Sequence, residues 1–423
     1  MAAIQIADYS NALKTVLLPY IRDNFPTQKI LLNQFQRNSG VAFMNNKFYV
    51  PLRSTRHSGV NNLANDGDTT LSGTIGVAQA VGTVKIITGV FDISQLAIDA
   101  TATQQGAVES ALTFAAKALS SDFGRSLNRQ SYSDGSGIVA QVITTSGSIG
   151  SGSLGVKPKD SLLDDGRSID NYGTVNGDIS PVKYVSAGQI IGVGTAAAAV
   201  ATVSSVSGVQ NSAGTIVTTA AVATNAEDAI FLLSGGGVGA GTMELTGIRR
   251  ALNSDSGTSQ YLGVARNTTG WLPAFGSTAE ALTLSRVESN YLTAREFSQE
   301  GDKYAIFVNK TLYKKYGDIL TSMRRAVDRT ELTGGWSGLS FEAGGGNIGV
   351  FLDYDVPDGE VLIINLDSWT IGQTGDMKWL EDPNGGSMLR IANKITMEAT
   401  MVWFLELLCL APAANGRETQ KTA

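Results

Sequence analysis

Along most of this chain apolar and polar residues alternate in short runs bounded by Gly, Asn or Ser, and one stretch departs from that pattern. From Gln104 to Arg129 (QQGAVESALTFAAKALSSDFGRSLNR), Val108, Leu112, Ala115, Leu119, Phe123 and Leu127 recur at spacings of three and four. That spacing places them on one helical stripe. Glu109, Lys117, Asp122, Arg125 and Arg129 lie mostly off it. Ala and Leu dominate the stretch, and both favour helix. At about 1.5 Å per residue the element would run roughly 39 Å. The pattern predicts a long spine helix set in strand-rich sequence, its apolar stripe facing the chain's own sheet.

Upstream, 8–24 reads as a short helix interrupted by Pro19, and 28–40 as an arm docking on something else. KFYVPL (47–52) and TVKIITGVFDI (83–93) read as strands joined by a long polar, glycine-rich loop. A two-stranded hairpin is marginal on its own, so the expected arrangement is an extended arm lying across a neighbouring subunit. Arg53 and Arg56 sit on one side of the loop, with His57, and Asp66 and Asp68 on the other. This split suits pairing with opposite charges on a neighbour, although such charges are more often solvated. After the helix, short β-runs with turn signals fill 144–241 and predict an inserted small barrel or sandwich. Helices are expected at 279–300 and 311–320. Strands are expected at 304–308, 347–354, 360–366 and 395–410, ahead of a polar tail, GRETQKTA. Helices and strands interleave without βαβ regularity, which predicts an α+β class.

Composition narrows the chemistry. The 423 residues are 43% hydrophobic but only 17% charged, with 48 glycines, the profile of a folded β-rich structural protein. The net charge of −6 argues against a dedicated nucleic-acid binder. One cysteine, Cys409, and one histidine, His57, exclude an internal disulfide and a Cys/His zinc site. Any Ser-His-Asp or Cys-His arrangement would have to use His57. The N-terminus lacks the regions of a signal peptide. No run of about 20 uncharged apolar residues occurs. The most apolar run, 397–410, is broken by Glu398 and Glu406 and reads as a buried strand. No catalytic, cofactor or metal residue is expected.

Five further patterns stand out along the chain. Gly344, Gly346 and Gly349 match G-x-G-x-x-G, but a strand follows where the motif needs a helix. Gly192, Gly194 and Ala197 match a relaxed form without the acidic residue that would hold a ribose. Asp353, Asp355, Asp358 and Glu360 could hold a cation, yet Pro357-Asp358-Gly359 is ordinary turn sequence. Lys310, Lys314, Lys315, Arg324, Arg325 and Arg329 form a basic stretch whose default reading is a solvated face. Trp271, Trp336, Trp369, Trp379 and Trp403 are scattered, as core or interface anchors would be.

The order of parts, and the stretches SSDFGRSLNRQSYSDGSG, TGIRRALNSDSGTSQYLGVARNTTGWLPAF, YAIFVNKTLYKKYGDI and GVFLDYDVPDGEVLIINLDSW, resemble the Hong Kong 97-type major capsid proteins of tailed bacteriophages. The resemblance implies an N-terminal arm (1–40) and an E-loop hairpin (41–99). It implies a spine helix opening the peripheral domain (100–143), an inserted β-domain (144–241) and a peripheral body (242–300). An axial domain (301–389) and a C-terminal peripheral strand with tail (390–423) would complete the chain. It also implies a structural, non-enzymatic subunit forming pentamers and hexamers of an icosahedral shell around double-stranded DNA, without sequence-specific binding. A scaffolding protein, a portal and a decoration protein are the partners it implies. The implied location is the virion, after assembly in the host cytoplasm and with no membrane. An encapsulin-like compartment or another virion part, such as a tail or fibre, are the alternatives.

Overall fold

The computed structural model describes residues 31–39, 41–60, 62, 73–101, 111–142, 147–149, 153–158, 180, 182–194, 199–208, 214–220, 222–224, 228–233, 243–254, 260–299, 302–322, 329–332, 336–343, 346–381 and 388–423. Its described helices include α1 (Gln95–Thr101), α2 (Ala111–Tyr132), α3 (Ile248–Ala251), α4 (Leu284–Arg295) and α5 (Lys310–Ser322). The helix expected at 8–24 lies outside these residues.

A 14-residue strand, Thr396–Cys409, organises a six-stranded sheet. Lys85–Ser94 runs antiparallel along it, from Thr396 opposite Ser94 to Leu405 opposite Lys85. Trp369–Gln373 takes the upper part of its other edge, from Trp369 opposite Cys409. Gln36–Asn38 adds to Trp369–Gln373 in parallel. Leu31, Leu32 and Phe35 are buried in the main core, and Phe35 stacks on Trp369 at 5.5 Å. The described part of the expected arm therefore docks on the chain's own sheet, because these three apolar side chains find their cover there.

The spine helix α2 lies against Lys85–Ser94. Phe123 and Leu127 enter the main core with Leu119 beside them, so the stripe faces the chain's own sheet. Gly89 lets the helix come close: a Cβ there would lie 2.9 Å from Leu119 Cδ1. The helix runs three residues past the expected end, and Asn128 through Tyr132 are all buried. Arg129 is therefore interior rather than off the packed face, because Glu244 neutralises it.

A closed six-stranded barrel follows in the order Ala199–Ser207, Gly214–Thr218, Ser153–Pro158, Ile138–Val142, Ala229–Leu233, Ile190–Val193. Every neighbouring pair is antiparallel. Inward positions alternate along Ser153–Pro158, Ala199–Ser207 and Gly214–Thr218, where Leu154, Val156, Ala201, Val203 and Ile216 join Ile191 and Val193 in one core. This is the period-two pattern of a strand with one buried face. Closure leaves no free edge. The first barrel strand, Ile138–Val142, begins upstream of the expected boundary at 144.

The third layer is a mixed seven-stranded sheet, in the order Ala274–Gly276, Gly416–Glu418, Val361–Asn365, Tyr304–Val308, Gly346–Leu352, Trp336–Ala343, Arg329–Leu332. Ala305 and Phe307 face the main core, while Ile306 and Val308 face the cluster built with α4 and α5. Tyr304–Val308 is thus covered on both faces, which is why its sequence reads as a continuous apolar run.

The expected polar tail is overturned. Gly416–Glu418 is an interior strand, parallel to Ala274–Gly276 and antiparallel to Val361–Asn365. Asn415, Arg417, Glu418, Thr419 and Lys421 are all buried. They stay polar because each is paired inside: Arg417 with Glu360, Lys421 with Glu280 and Glu418, and Asn290 donating to Glu418. Buried charge is tolerated when it is paired and hydrogen-bonded.

Candidate assembly hairpin and the junction behind it

The hairpin is built from Lys47–Arg53 and Val77–Thr83, in register from Lys47 opposite Thr83 to Arg53 opposite Val77. Ala42–Met44 adds a short third strand. Its root is anchored. Phe48 and Ala80 are buried, and the Val81 amide donates to Leu262 O at 2.8 Å. Its outer end is not. Val60, Ile75 and Val77 are exposed there, Val60 at 84% and Val77 at 72%, while Phe43 and Met44 are exposed beside the root, opposite Phe48 and Lys47. Large apolar side chains left exposed on a thin element suit a surface that a partner covers.

Arg53 and Arg56 are both exposed on the outgoing strand and the turn beyond it. Arg53 Nε donates to Thr55 O at 3.1 Å. His57 is exposed, its Nδ1 accepting from the Gly59 amide at 3.0 Å. Asp66 and Asp68 lie outside the described residues, so the expected charge split is observed on one side only. Beyond the regular ladder the Gly76 amide donates to Thr55 Oγ1 at 2.6 Å and the Thr74 amide to Ser58 Oγ at 3.1 Å, which carries the pairing outward.

The acidic run 353–360 is the turn that its sequence suggested. The Val356 amide donates to Asp353 O, and Gly359 takes a φ of +70°. Its carboxylates, however, are not solvated. Tyr132 OH of α2 donates to Asp353 Oδ2 at 3.0 Å. Asn128 Nδ2 of α2 donates to Asp355 Oδ2 at 2.7 Å. From the barrel, Lys183 Nζ and Tyr184 OH each reach Asp355 Oδ1 at 2.7 Å. Spine helix, barrel and seven-stranded sheet therefore meet at one carboxylate. Arg129 pairs with Glu244 alongside, its guanidinium over the Tyr184 ring. Among the described residues no group of three or more His, Cys, Asp or Glu side chains is placed to hold a metal ion.

The two carboxyls differ in their titration. Burial, then the Asp355 charge, push Asp353 up to about 6. Burial acts on Asp355 in the same direction, but Lys183, by its charge and hydrogen bond, with Asn128 and Tyr184, holds it below the usual range. A third carboxyl, Glu406, is fully buried in Thr396–Cys409. It accepts from the amides of Thr246 at 2.8 Å and Leu407 at 3.0 Å, and burial pushes it up to about 7.

Of the other sequence patterns, Gly346 and Gly349 fall in a strand whose partner turns straight into it, Ala343 opposite Gly346. No helix N-terminus meets them, and Gly344 lies outside the described residues. Gly192 is in a barrel strand and Gly194 follows it, while Ala197 lies outside the described residues. Lys310 and Lys314 are exposed on α5, and Lys315 is half-buried. Arg324 and Arg325 lie outside the described residues. Trp271, Trp369 and Trp403 are core residues, with Trp379 packed against the same core. Sequence reasoning missed Asn128, Tyr132, Lys183, Tyr184 and Glu244. Their one legible signal was the density of acids at 353–360, which implied donors elsewhere.

No protein-family profile matches the chain, and no curated protein matches it. Solved structures do. The capsid asymmetric unit of cyanophage A-1(L) superposes with a TM-score of 0.55 at 13% identity, over 99% of this chain and 100% of that one. The capsid of a native GTA particle gives 0.47 at 11% identity, over 99% and 98%. The SrpI encapsulin of Synechococcus elongatus PCC 7942 gives 0.46 at 9%, over 100% and 97%. The fold is capsid-like, with mixed α/β content and a closed six-stranded barrel.

Proposed function

We propose that this chain is the major capsid protein of a tailed phage, a structural subunit without enzymatic activity. The observation that carries the reading is the hairpin: its root is built into the main core while its outer end exposes Val60, Ile75 and Val77, and Phe43 and Met44 are exposed on the short strand beside the root. A subunit that leaves such surface uncovered gains stability when a second copy covers it, by mass action. The capsid-like fold over the whole chain supports the same reading.

In Hong Kong 97-type terms, 1–40 would be the arm, 41–99 the E-loop and 100–143 the spine helix with the start of the peripheral domain. The β-insert would be 144–241, the peripheral body 242–300, the axial domain 301–389 and the closing peripheral strand 390–423. Pentamers and hexamers of this chain would form an icosahedral shell around double-stranded DNA. Assembly would take place in the host cytoplasm, with a scaffolding protein, a portal and a decoration protein as partners. The acidic net charge of −6 fits a wall that encloses DNA without gripping it.

Electron microscopy of the purified protein tests the shell: closed particles are expected, and tubes or small discrete oligomers would overturn it. Mass spectrometry of density-banded particles from an infected culture tests the contents. This chain should be the most abundant protein of the DNA-filled band, and its confinement to DNA-free shells would sink the phage reading.

A further inference from the structure

Among the described residues, side chains tie the barrel to the body in addition to its chain connections. The contact is made by the turn at 182–185. Val182 and Val185 are buried in the barrel's own core. Between them, Lys183 and Tyr184 reach out to Asp355, and Lys183 Nζ also donates to Tyr354 O at 2.7 Å. The Lys183 carbonyl accepts from Arg125 Nη2 of α2 at 3.0 Å. The turn is therefore fastened to the barrel on one side and to α2 and the 353–356 loop on the other.

The receiving end is two carboxylates in one tight loop. The Asp355 backbone amide donates to Asp353 Oδ1 at 3.0 Å, which holds the Asp353 carboxyl against the backbone that carries Asp355. Asp355 has a cation, Lys183. The hydrogen bonds given to Asp353 come from Tyr132 OH and the Asp355 amide, both neutral donors. The charged and titratable groups gathered round the pair are Arg125, Arg129 and Tyr132 from α2, Lys183 and Tyr184 from the barrel, Glu244 from the following segment, and buried Asp358 from the same loop. Arg129 is taken by Glu244 and Lys183 by Asp355. When both loop carboxylates are ionised, their repulsion works against the arrangement that seats Lys183 and Tyr184.

We propose that this junction is a proton-operated latch that seats the barrel on the body: one proton on Asp353 closes it, and loss of that proton loosens it. The sign follows from linkage. Asp353 binds its proton more tightly in the seated state than in a solvated one, so seating is strongest below the ordinary value of 3.8, weakens as pH rises from there and has lost this contribution above about 6. Asp355 keeps its charge throughout, because Lys183 holds it down. The latch therefore acts through the cost of burying a second charge, to which the Asp355 carboxylate adds, and not through loss of the ion pair.

Hydrogen exchange of the full chain between pH 4 and 8, corrected for intrinsic rates, tests this at 182–186. In the wild type local opening should rise by up to about tenfold per pH unit between the ordinary carboxylate value of 3.8 and about 6, and level off above that. Asp353→Asn should remove the slope and hold the segment closed at every pH. Lys183→Met should leave it open at every pH. Exchange of the barrel strand Ile190–Val193 and the body strand Tyr304–Val308 reports whether each variant is folded. A flat wild-type profile, or an Asp353→Asn protein that keeps the wild-type slope, would overturn the latch. If Asp353→Asn does not fold, the wild-type profile alone decides.

Discussion

Arg417 Nε donates to Glu360 Oε1 at 2.9 Å and its Nη2 reaches the same oxygen, with both side chains essentially inaccessible to solvent. Arg249 faces the same carboxylate at 3.4 Å. This pair sits between two strands of the seven-stranded sheet, Leu362 lying opposite Arg417. Removing one partner of a buried pair leaves an uncompensated charge, which costs about 3–5 kcal/mol. Arg417→Ala leaves Glu360 only the more distant Arg249 and should lower stability by up to that much, measured by urea unfolding of the subunit. Replacing both, Arg417→Met with Glu360→Leu, should not recover the loss, because buried Arg249 then loses the carboxylate it faces; adding Arg249→Leu should recover most of it. A triple variant as unstable as Arg417→Ala would show that packing rather than charge sets the cost.

Gly247 precedes α3 and sits on the end of the spine helix. A Cβ there would collide with the carbonyl oxygens of Ser133 and Gln130 and lie 2.9 Å from that of Ser131. Backbone cannot give way as a side chain can. Gly247→Ala should cost about 1–3 kcal/mol, more than Gly89→Ala, whose nearest neighbour is the movable Leu119 side chain. Thermal unfolding of the two variants side by side checks the order.

Much of the architecture was legible because it follows from periodicity. Phe123 and Leu127 fall on a 3.6-residue stripe, and the barrel runs alternate in twos, so helix and strands could be placed from pattern alone. The long run at 397–410 was legible as a buried strand despite Glu398 and Glu406. What pattern could not carry was compensation between distant charges. GRETQKTA reads as a solvated tail because nothing local reveals that Glu360, Glu280 and Asn290 wait for it, some 60 to 140 positions upstream. The same holds for Asp355, whose donors come from α2 and the barrel. Docking of Leu31, Leu32 and Phe35 on the chain's own sheet was equally invisible, since an apolar segment does not say which surface covers it.

Glu406 makes subunit stability depend on pH. Its carboxyl is pushed up to about 7 by burial, against an ordinary value of 4.5. A folded-state value above the unfolded one means the native protein holds a proton that the unfolded chain has released. Stability is then highest below the unfolded value, as far as this group is concerned, and falls as pH rises through 7. The shift corresponds to a loss on the order of 3 kcal/mol between pH 4.5 and 8. Asp353 adds a loss of the same sign, spread between its ordinary value of 3.8 and about 6. Urea midpoints should therefore fall from pH 5.5 to 8, and Glu406→Gln should flatten the upper part of that slope while leaving the lower part to Asp353.

The hairpin prediction separates folding from assembly. Arg53 and Arg56 are exposed, and among the described residues the Arg53 side chain donates to Thr55 O, two positions along its own chain. Reversing both charges should leave subunit stability within about 0.5 kcal/mol of wild type, as exposed substitutions do. If the hairpin lies across a neighbour and its arginines meet acidic groups there, Arg53→Glu with Arg56→Glu should block shell formation. Val60→Ser with Val77→Ser should weaken it through lost apolar cover, by about 1.5–3 kcal/mol for each side chain that assembly fully buries. Sedimentation of each variant under assembly conditions reads both effects. A charge-reversed protein that forms shells at the wild-type concentration would remove the arginines from the interface while leaving the apolar contribution of the hairpin to be judged by the valine pair.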